Sequence, residues 1–448
     1  MTTFESFRDE LFAQAKAKGF ADYELYYLAE DSFSVRVLNG GIDEYKNTMS
    51  EGAGFRGTYN GKMGYAYTEK LDTTLIPQML QAAASNAGII AETEVEKLYP
   101  GDKTYTECNN YNPALNNADA TQKINWALEM EKYALSLDPR VKMADYCQLG
   151  TTEGCLAIAN SHGLNVSDKQ NMGYAYLVAR VEENGMTKSG FEFWIGRDFA
   201  EFDYKALAKK AVDIALSYLG ARSIPTGEYP IIFNNNTARD IFEVFCGIFM
   251  AESGQKGFSL LNKSRMGETI AAPHITLRDD GVTDLSPIGH SFDAEGVATQ
   301  QKAIIENGVL KTLLYNTKAA AKDGVKSTGN ASKSGFGGAI TTDAKNLYLV
   351  PGETSHEDMI AGLHKGIVVT ELAGLHSGAN SVSGDFSFSA DGFFVENGKI
   401  TKPVEQITVA GNFFDLLKNI TTVGSNLRFQ GSIGMPSILV EKLSVAGL

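Results

Sequence analysis

Apolar and polar positions alternate with two different periods along this chain, and the switches between them outline its elements. Phe4, Phe7, Leu11, Phe12 and Ala15 recur at helical spacing, so a helix is expected over Phe4–Lys18, opened by a Thr2/Glu5 capping box and stopped by Gly19. Period-two alternation follows at Tyr23–Ala29, Ser32–Leu38, Ile42–Met49, Gly54–Tyr59 and Gly64–Thr68. A second helix is expected at Leu71–Ala87. The pattern repeats after an aperiodic arm, Glu92–Asp119. A helix at Thr121–Leu137 precedes strands at Val141–Leu149, Cys155–Asn160, Gly163–Val166, Met172–Glu182 and Met186–Ile195, and a helix at Tyr204–Leu219 closes the unit. The two halves echo each other in pattern, with no residue-level repeat.

Beyond a Pro/Gly boundary at Ala221–Glu228, a strand at Tyr229–Phe233 leads into a helix at Ala238–Glu252, capped by Asn236 or Thr237. Apolar residues cover nearly all of its faces, so burial all round is expected. Short strands and Gly-rich turns follow, among them Ala303–Ile305, Val309–Leu314, Leu347–Leu349 and Ile367–Thr370, with short helices near Leu314–Lys322 and His356–Leu363. Phe386–Ser389, Gly392–Glu396 and Lys399–Thr401 read as three further strands. Five Asn-Gly pairs, at 39, 60, 184, 307 and 397, mark turns in which both residues take positive φ at little cost. The fold class predicted is α+β: helix–antiparallel meander–helix units in the N-terminal half and a β-rich C-terminal domain around a buried helix. The expected divisions are 1–91, an arm at 92–120, 121–220, and 227–448.

Composition narrows the function classes. The chain has 448 residues, 43% hydrophobic and 21% charged, with a net charge of −14. That balance is globular, and the length calls for more than one core. No Lys/Arg block offers the basic face that tracking phosphates needs, so nucleic acid is not an expected partner. No apolar run is long enough to span a bilayer, and the acidic N-terminus is unlike a secretory signal. Four scattered cysteines, at 108, 147, 155 and 246, form no framework and fit reduced thiols in the cytoplasm.

Candidate chemistry is sparse. Of six histidines, His356 alone is followed by Glu, and Ile360 and Ala361 occupy the positions where a zinc helix would carry its second ligand. His364 lies eight residues on, about 12 Å along a helix, too far to share one ion. His274 and His290 flank an acidic stretch with Asp279, Asp280, Asp284, Asp293 and Glu295, which reads either as a carboxylate/imidazole site or as a solvated loop. Cys246, inside the buried helix, reads as inert core. Ser327–Gly338 resembles an anion-cradling loop without the Gly-Lys-Ser/Thr ending of a P-loop, and reads as a mobile loop.

Several long stretches resemble the TldD/PmbA family, long called modulators of DNA gyrase and understood as metalloproteases. They are S-V-R-V-L-N-G-G-I-D-E at 34–44, G-F-R-G-T-Y-N-G-K-M-G-Y-A at 54–66, G-E-Y-P-I-I-F at 227–233, F-D-A-E-G-V-A-T at 292–299 and I-E-N-G-V-L-K at 305–311. S-T-G-N-A at 327–331, S-G-D-F-S at 383–387, G-F-F-V-E-N-G at 392–398 and V-E-Q-I-T-V-A-G-N at 404–412 complete the set. The resemblance implies two branches. The TldD-like branch carries an H-E-x-x-x-H helix and a Cys near the C-terminus. Here the matching helix is D-I-F-E-V-F-C-G-I-F-M-A, without His, and no Cys follows Cys246. The chain therefore resembles the PmbA branch, also called TldE.

That branch implies a subunit with no catalytic residue and no metal of its own, paired with a TldD-like metal-bearing subunit on unfolded or extended peptides. Without that partner, a homodimer is expected. Ser383, Gly384, Asp385, Phe386 and Ser387 are the candidates for holding peptide or partner, by strand addition along free backbone groups. Asp385 and Ser387 also read as plain turn caps. Two other functions remain open on the sequence: a regulatory or peptide-binding protein without proteolysis, and an independent hydrolase using the His274/His290 loop.

Overall fold

The two helix–meander–helix units share one sheet. In the computed structural model, which describes residues 3–89 and 97–448, the first unit is α1 (Phe4–Lys18), β1 (Tyr23–Leu38), β2 (Gly41–Tyr59), β3 (Lys62–Thr68) and α2 (Ile76–Ile89). The second is α3 (Ala120–Leu137), β4 (Val141–Asn160), β5 (Asn165–Glu183), β6 (Met186–Gly196) and α4 (Tyr204–Ser217). Their strands run β3-β2-β1-β4-β5-β6, with β1 and β4 paired antiparallel from Glu24↔Asn160 to Val37↔Cys147. The echo in the pattern is thus a pseudo-two-fold arrangement about the central pair.

Strands expected as separate pieces are continuous. Glu30-Asp31 and Gly150–Gly154 look like turns because they are polar or Gly-rich, yet Glu30 pairs with both Ser50 and Gly154. Leu25, Val35 and Val37 turn to one face, where Phe55, Leu80, Leu149 and Leu177 complete two cores beneath the helices. Tyr26 and Leu28 turn to the other and meet Phe292, Phe336 and Ile340 of the C-terminal half.

Two helix boundaries and the arm differ from expectation. The α1 cap is Thr3, whose hydroxyl accepts the Ser6 N–H at 3.3 Å while Ser6 Oγ accepts the Thr3 N–H at 3.1 Å; Thr2 lies outside the described residues. Asp72 caps a short 3₁₀ turn, Thr73–Leu75, before α2 begins. The arm between the units, described from residue 97, is anchored: Leu98, Asn110 and Leu115 are buried. Its residues 92–96 fall outside the described residues.

The C-terminal half opens with β7 (Gly227–Phe233), α5 (Asn235–Phe245) and α6 (Ala251–Gln255), then β8 (Leu277–Asp280), β9 (Gln301–Glu306), β10 (Val309–Leu310) and α7 (Thr317–Asp323). There follow β11 (Ala331–Lys333), β12 (Ile340–Thr342), β13 (Leu347–Leu349), α8 (His356–Ala361), β14 (Lys365–Ala373), β15 (Asp385–Glu396) and β16 (Lys399–Asn412). The chain ends in α9 (Phe413–Asn419), β17 (Ile420–Val423), β18 (Arg428–Gln430), β19 (Ile433–Met435) and β20 (Ile438–Ala446). One sheet runs β16-β15-β14-β7-β20-β17, and β20 also pairs with β16 through Val409↔Val445, closing a barrel-like ring. A second runs β10-β9-β8-β13-β19-β18.

The helix after Phe233 is shorter and more one-sided than expected. Asn234 caps it by accepting the Thr237 N–H, α5 ends at Phe245, and Cys246–Phe249 form a 3₁₀ turn around Gly247 before α6. A mid-helix Gly costs about 1 kcal/mol relative to Ala, so the break falls where the sequence is weakest. Glu243 is exposed, whereas Ile241, Phe242 and Phe245 are fully buried. Phe242, Phe245 and Phe249 surround Phe413, with centroids 5.3, 4.6 and 6.4 Å away. Helix α5 and its aromatic residues join both C-terminal sheets in one core.

Truncating a ring in this cluster leaves a cavity that rigid sheets cannot fill. Phe245→Ala is expected to cost about 3–5 kcal/mol. Urea denaturation should show the lower midpoint with an unchanged slope.

Candidate functional site

The Ser383–Ser387 stretch occupies a well-tied corner of the barrel. Gly384 donates its N–H to Asn380 O and its carbonyl accepts the Phe413 N–H, while the Asn380 N–H goes to Asp385 O and the Ser387 N–H to Gly378 O. Asn412 Nδ2 donates to Ser383 O and to Asp385 Oδ1, both at 2.9 Å. Bonds from Asn412 and from Ser383 hold the exposed Asp385 carboxyl below the usual range. Phe386 points inward against Phe245 and Phe388. The expectation of free backbone groups is therefore corrected here. β16 pairs with β15 along its length, β14 takes the other side from Ser389 to Glu396, and the backbone of Gly378–Asn380 takes that side at Asp385–Ser387, so the side chains of Asp385 and Ser387 are what the stretch exposes.

A large cavity lies elsewhere, between the N-terminal sheet and the C-terminal half. Its volume is about 760 Å³, in the range of small-molecule and peptide sites. The Ser327–Gly338 segment builds one wall. Rather than a mobile loop, it continues into the β11–β12 hairpin, whose tip rests on β2. Gly52 and Gly54 permit that contact: a Cβ on Gly54 would stand 2.0 Å from the Phe336 carbonyl oxygen, and one on Gly52 2.3 Å from the Phe336 ring. Tyr67, opposite Gly54 on β3, stacks obliquely on Phe336 at 5.9 Å. Met79 and Ala82 of α2 add apolar surface, and Glu252, Glu295, Asn316 and Lys318 form the C-terminal side.

The charges around this cavity are held in place. Glu24 and Arg56 form a buried pair at 2.7 Å, and Asn160 Nδ2 donates to the second Glu24 oxygen at 3.2 Å. Both Glu295 oxygens accept from Thr317, from its N–H at 2.8 Å and its hydroxyl at 2.5 Å. Burial, then the neighbouring Asp293, pushes the Glu295 carboxyl up to about 7. Asp293 accepts the N–H groups of Glu295, Val297 and Ala331, so it closes its own turn and ties it to β11. The Lys333 ammonium sits 4.4 Å from the centre of the Tyr26 ring. Burial, then the Arg56 charge, brings it down to about 8.

Comparison with known proteins places the chain. Three family models match consecutive stretches: PmbA/TldA metallopeptidase domain 1 at 23–91, the central domain at 113–219 and the C-terminal domain at 226–447. The chain belongs to the TldD/PmbA family. It is 31% identical to metalloprotease PmbA of Escherichia coli O157:H7 over 73% of this chain and 70% of that one. A metalloprotease TldD homolog of Buchnera aphidicola subsp. Schizaphis graminum is 25% identical over 95% and 93%. The crystal structure of a Thermotoga maritima MSB8 protein, whose given name links it to modulation of a DNA gyrase, superposes with a TM-score of 0.92 at 34% identity. It covers 99% of this chain and 100% of its own. TldE from Thermococcus kodakarensis shares the fold, with a TM-score of 0.90 at 24% identity over 98% and 100%.

The TldD/PmbA family name implies a metal, and the residues where its helix would bind one do not fit. Along α5, Asp240 pairs with Arg239 at 2.6 Å, Glu243 pairs with Arg239 at 2.7 Å, and Cys246 is sealed in the core, where burial pushes its thiol far up. Among the described residues no three His, Cys, Asp or Glu side chains are grouped to hold an ion. Nor does the His274/His290 stretch assemble a site. His274 is exposed, whereas His290 is half-buried and held down at about 4, by desolvation first and then by Lys345. Asp284 is exposed and Asp280 caps the N–H of Val282. Asp279 is spent structurally: it pairs with Lys302 at 3.0 Å and accepts from Asn330, Lys345 and Asn346.

Periodicity missed Arg56, Lys333, Tyr67 and Phe336 as site residues. The signal was present in another form: the family-like stretches 54–66 and 292–299 both contribute to the lining of this cavity.

Gly54→Val would force the hairpin off β2. The expected cost is about 1–3 kcal/mol, with faster amide exchange at residues 334–339 as the local readout. Glu295 is raised in the fold, so its contribution is complete below its unfolded value and is lost as pH rises through about 7. Thermal melts of Glu295→Gln against the parent should show the stability difference shifting toward the variant between about pH 4.5 and 7.

Proposed function

We propose that this chain is the subunit of a two-subunit TldD/TldE-type metallopeptidase that lacks a metal-ligand set and holds unfolded or extended peptide. The single observation that carries the reading is the state of α5. In the family position of the H-E-x-x-x-H helix this chain places Phe242, Phe245 and Cys246, closed into an aromatic core. Supplying ligands there would mean burying imidazoles without partners, which costs several kcal/mol. The peptide-cleaving chemistry then resides in a TldD-like partner, and the cavity with its aromatic wall is this chain's contribution. Exposed Asp385 and Ser387 are a second candidate surface for peptide or partner. Four unbridged cysteines are in keeping with work in the cytoplasm.

The test is reconstitution. An unstructured peptide is offered to this chain, to a TldD-like subunit and to the mixture, with and without chelator. Efficient chelator-sensitive cleavage is expected only in the mixture. Cleavage by this chain alone that survives chelation would overturn the reading. Asp385→Ala with Ser387→Ala should slow processing by the mixture several-fold while its metal content stays constant, and unchanged kinetics would leave that corner structural.

A further inference from the structure

Lys333 is a charge in the cavity without an ion-pair partner among the described residues. Glu24 is satisfied by Arg56 and Asn160, Glu295 by Thr317, and Glu252 by Lys256 at 2.8 Å. The Lys333 ammonium faces the Tyr26 ring and, among the described residues, neither donates a hydrogen bond nor forms an ion pair. A largely desolvated ammonium over a π face recovers only part of its hydration energy. An acceptor entering the cavity would restore the rest. The space is there because β2 has no side chain at this point: a Cβ on Gly54 would come within 3.0 Å of Lys333 Nζ.

The remaining wall is aromatic. Tyr26, Tyr65, Tyr67 and Phe336 line it, with Met79 behind them. One unpaired cation beside ring surfaces suits a ligand with one negative charge and one large apolar group. A phosphate dianion would bring twice the charge and nothing for the rings.

We propose that the cavity receives the C-terminal residue of a peptide, its carboxylate on Lys333 and its aromatic or large apolar side chain against Tyr67 and Phe336. The inference rests on the peptide-holding reading above and gives it a direction: the peptide's end is anchored in this subunit while the rest of the chain extends away. It also separates peptides with a free C-terminus from internal segments, which have no carboxylate at that position.

Calorimetry on the full chain with N-acetyl-glycyl-phenylalanine and its C-terminal amide tests this. At pH 7 the acid is expected to bind at least about tenfold more tightly than the amide. Lys333→Met, which keeps the apolar stem, should remove that difference and leave amide binding unchanged. A lysine that merely braced the hairpin would weaken both ligands alike. The pH profile needs no variant: the acid's advantage should decline as pH rises beyond about 8, where the ammonium of the unliganded protein loses its proton. Inorganic phosphate should compete poorly, and phosphate binding that depends on Lys333 and exceeds the acid's would overturn the assignment. Equal binding of acid and amide overturns the carboxylate anchor while peptide holding stands. Acid-selective binding with no cleavage in the reconstituted mixture would keep the anchor and sink the subunit reading.

Discussion

The structure depends on a backbone-to-backbone approach that two glycines allow. Gly52 and Gly54 turn a patch of β2 into bare backbone, and the tip of the β11–β12 hairpin lies on it with the Phe336 carbonyl where a Cβ would be. The contact joins sequence segments almost 300 residues apart. It is reinforced by Tyr105 donating to Gly296 O, Asn110 bridging to Gly289, and Arg428 pairing with Glu192 across the halves. Without that close approach the sheet and the C-terminal half would stand apart and the cavity would lose a wall.

Burying the approach surface also buries charge. Around the cavity the chain answers this in two ways. Glu24 with Arg56, like Asp279 with Lys302 outside the lining, is an ion pair with further hydrogen bonds on the carboxylate, the arrangement that offsets desolvation best. Glu295 and Lys333 are instead shifted toward neutrality, Glu295 upward and Lys333 downward. Groups poised near neutral pH in a cavity are where ligand binding has most leverage, because a small change in surroundings changes their charge.

In the C-terminal core, α5 is packed by rings rather than by polar groups. Phe242, Phe245, Phe249, Phe386 and Phe413 pack into a continuous aromatic cluster along α5. An ion would need polar ligands and a path for water in that space. Membership of a metallopeptidase family does not by itself place a metal in each member.

Much of the fold was legible in the sequence. The α+β class and helix α1 follow from periodicity, and all five Asn-Gly pairs adopt the paired positive φ values expected of them. The long motifs were enough to name the family, and the missing histidines are visible without coordinates. What the sequence could not convey was pairing. Glu30-Asp31 looked like a turn and is mid-strand, and the β15 corner looked free and is tied on every side, because hydrogen-bond partners come from strands remote in the chain. The cavity lay hidden for the same reason. Arg56, Lys333 and Phe336 have no local pattern that marks them; their meaning comes from distance, burial and the absence of a side chain at Gly54. Local chemistry along the chain determined the elements and the family, while tertiary packing alone decided which polar groups are satisfied and that Lys333 faces the cavity over the Tyr26 ring.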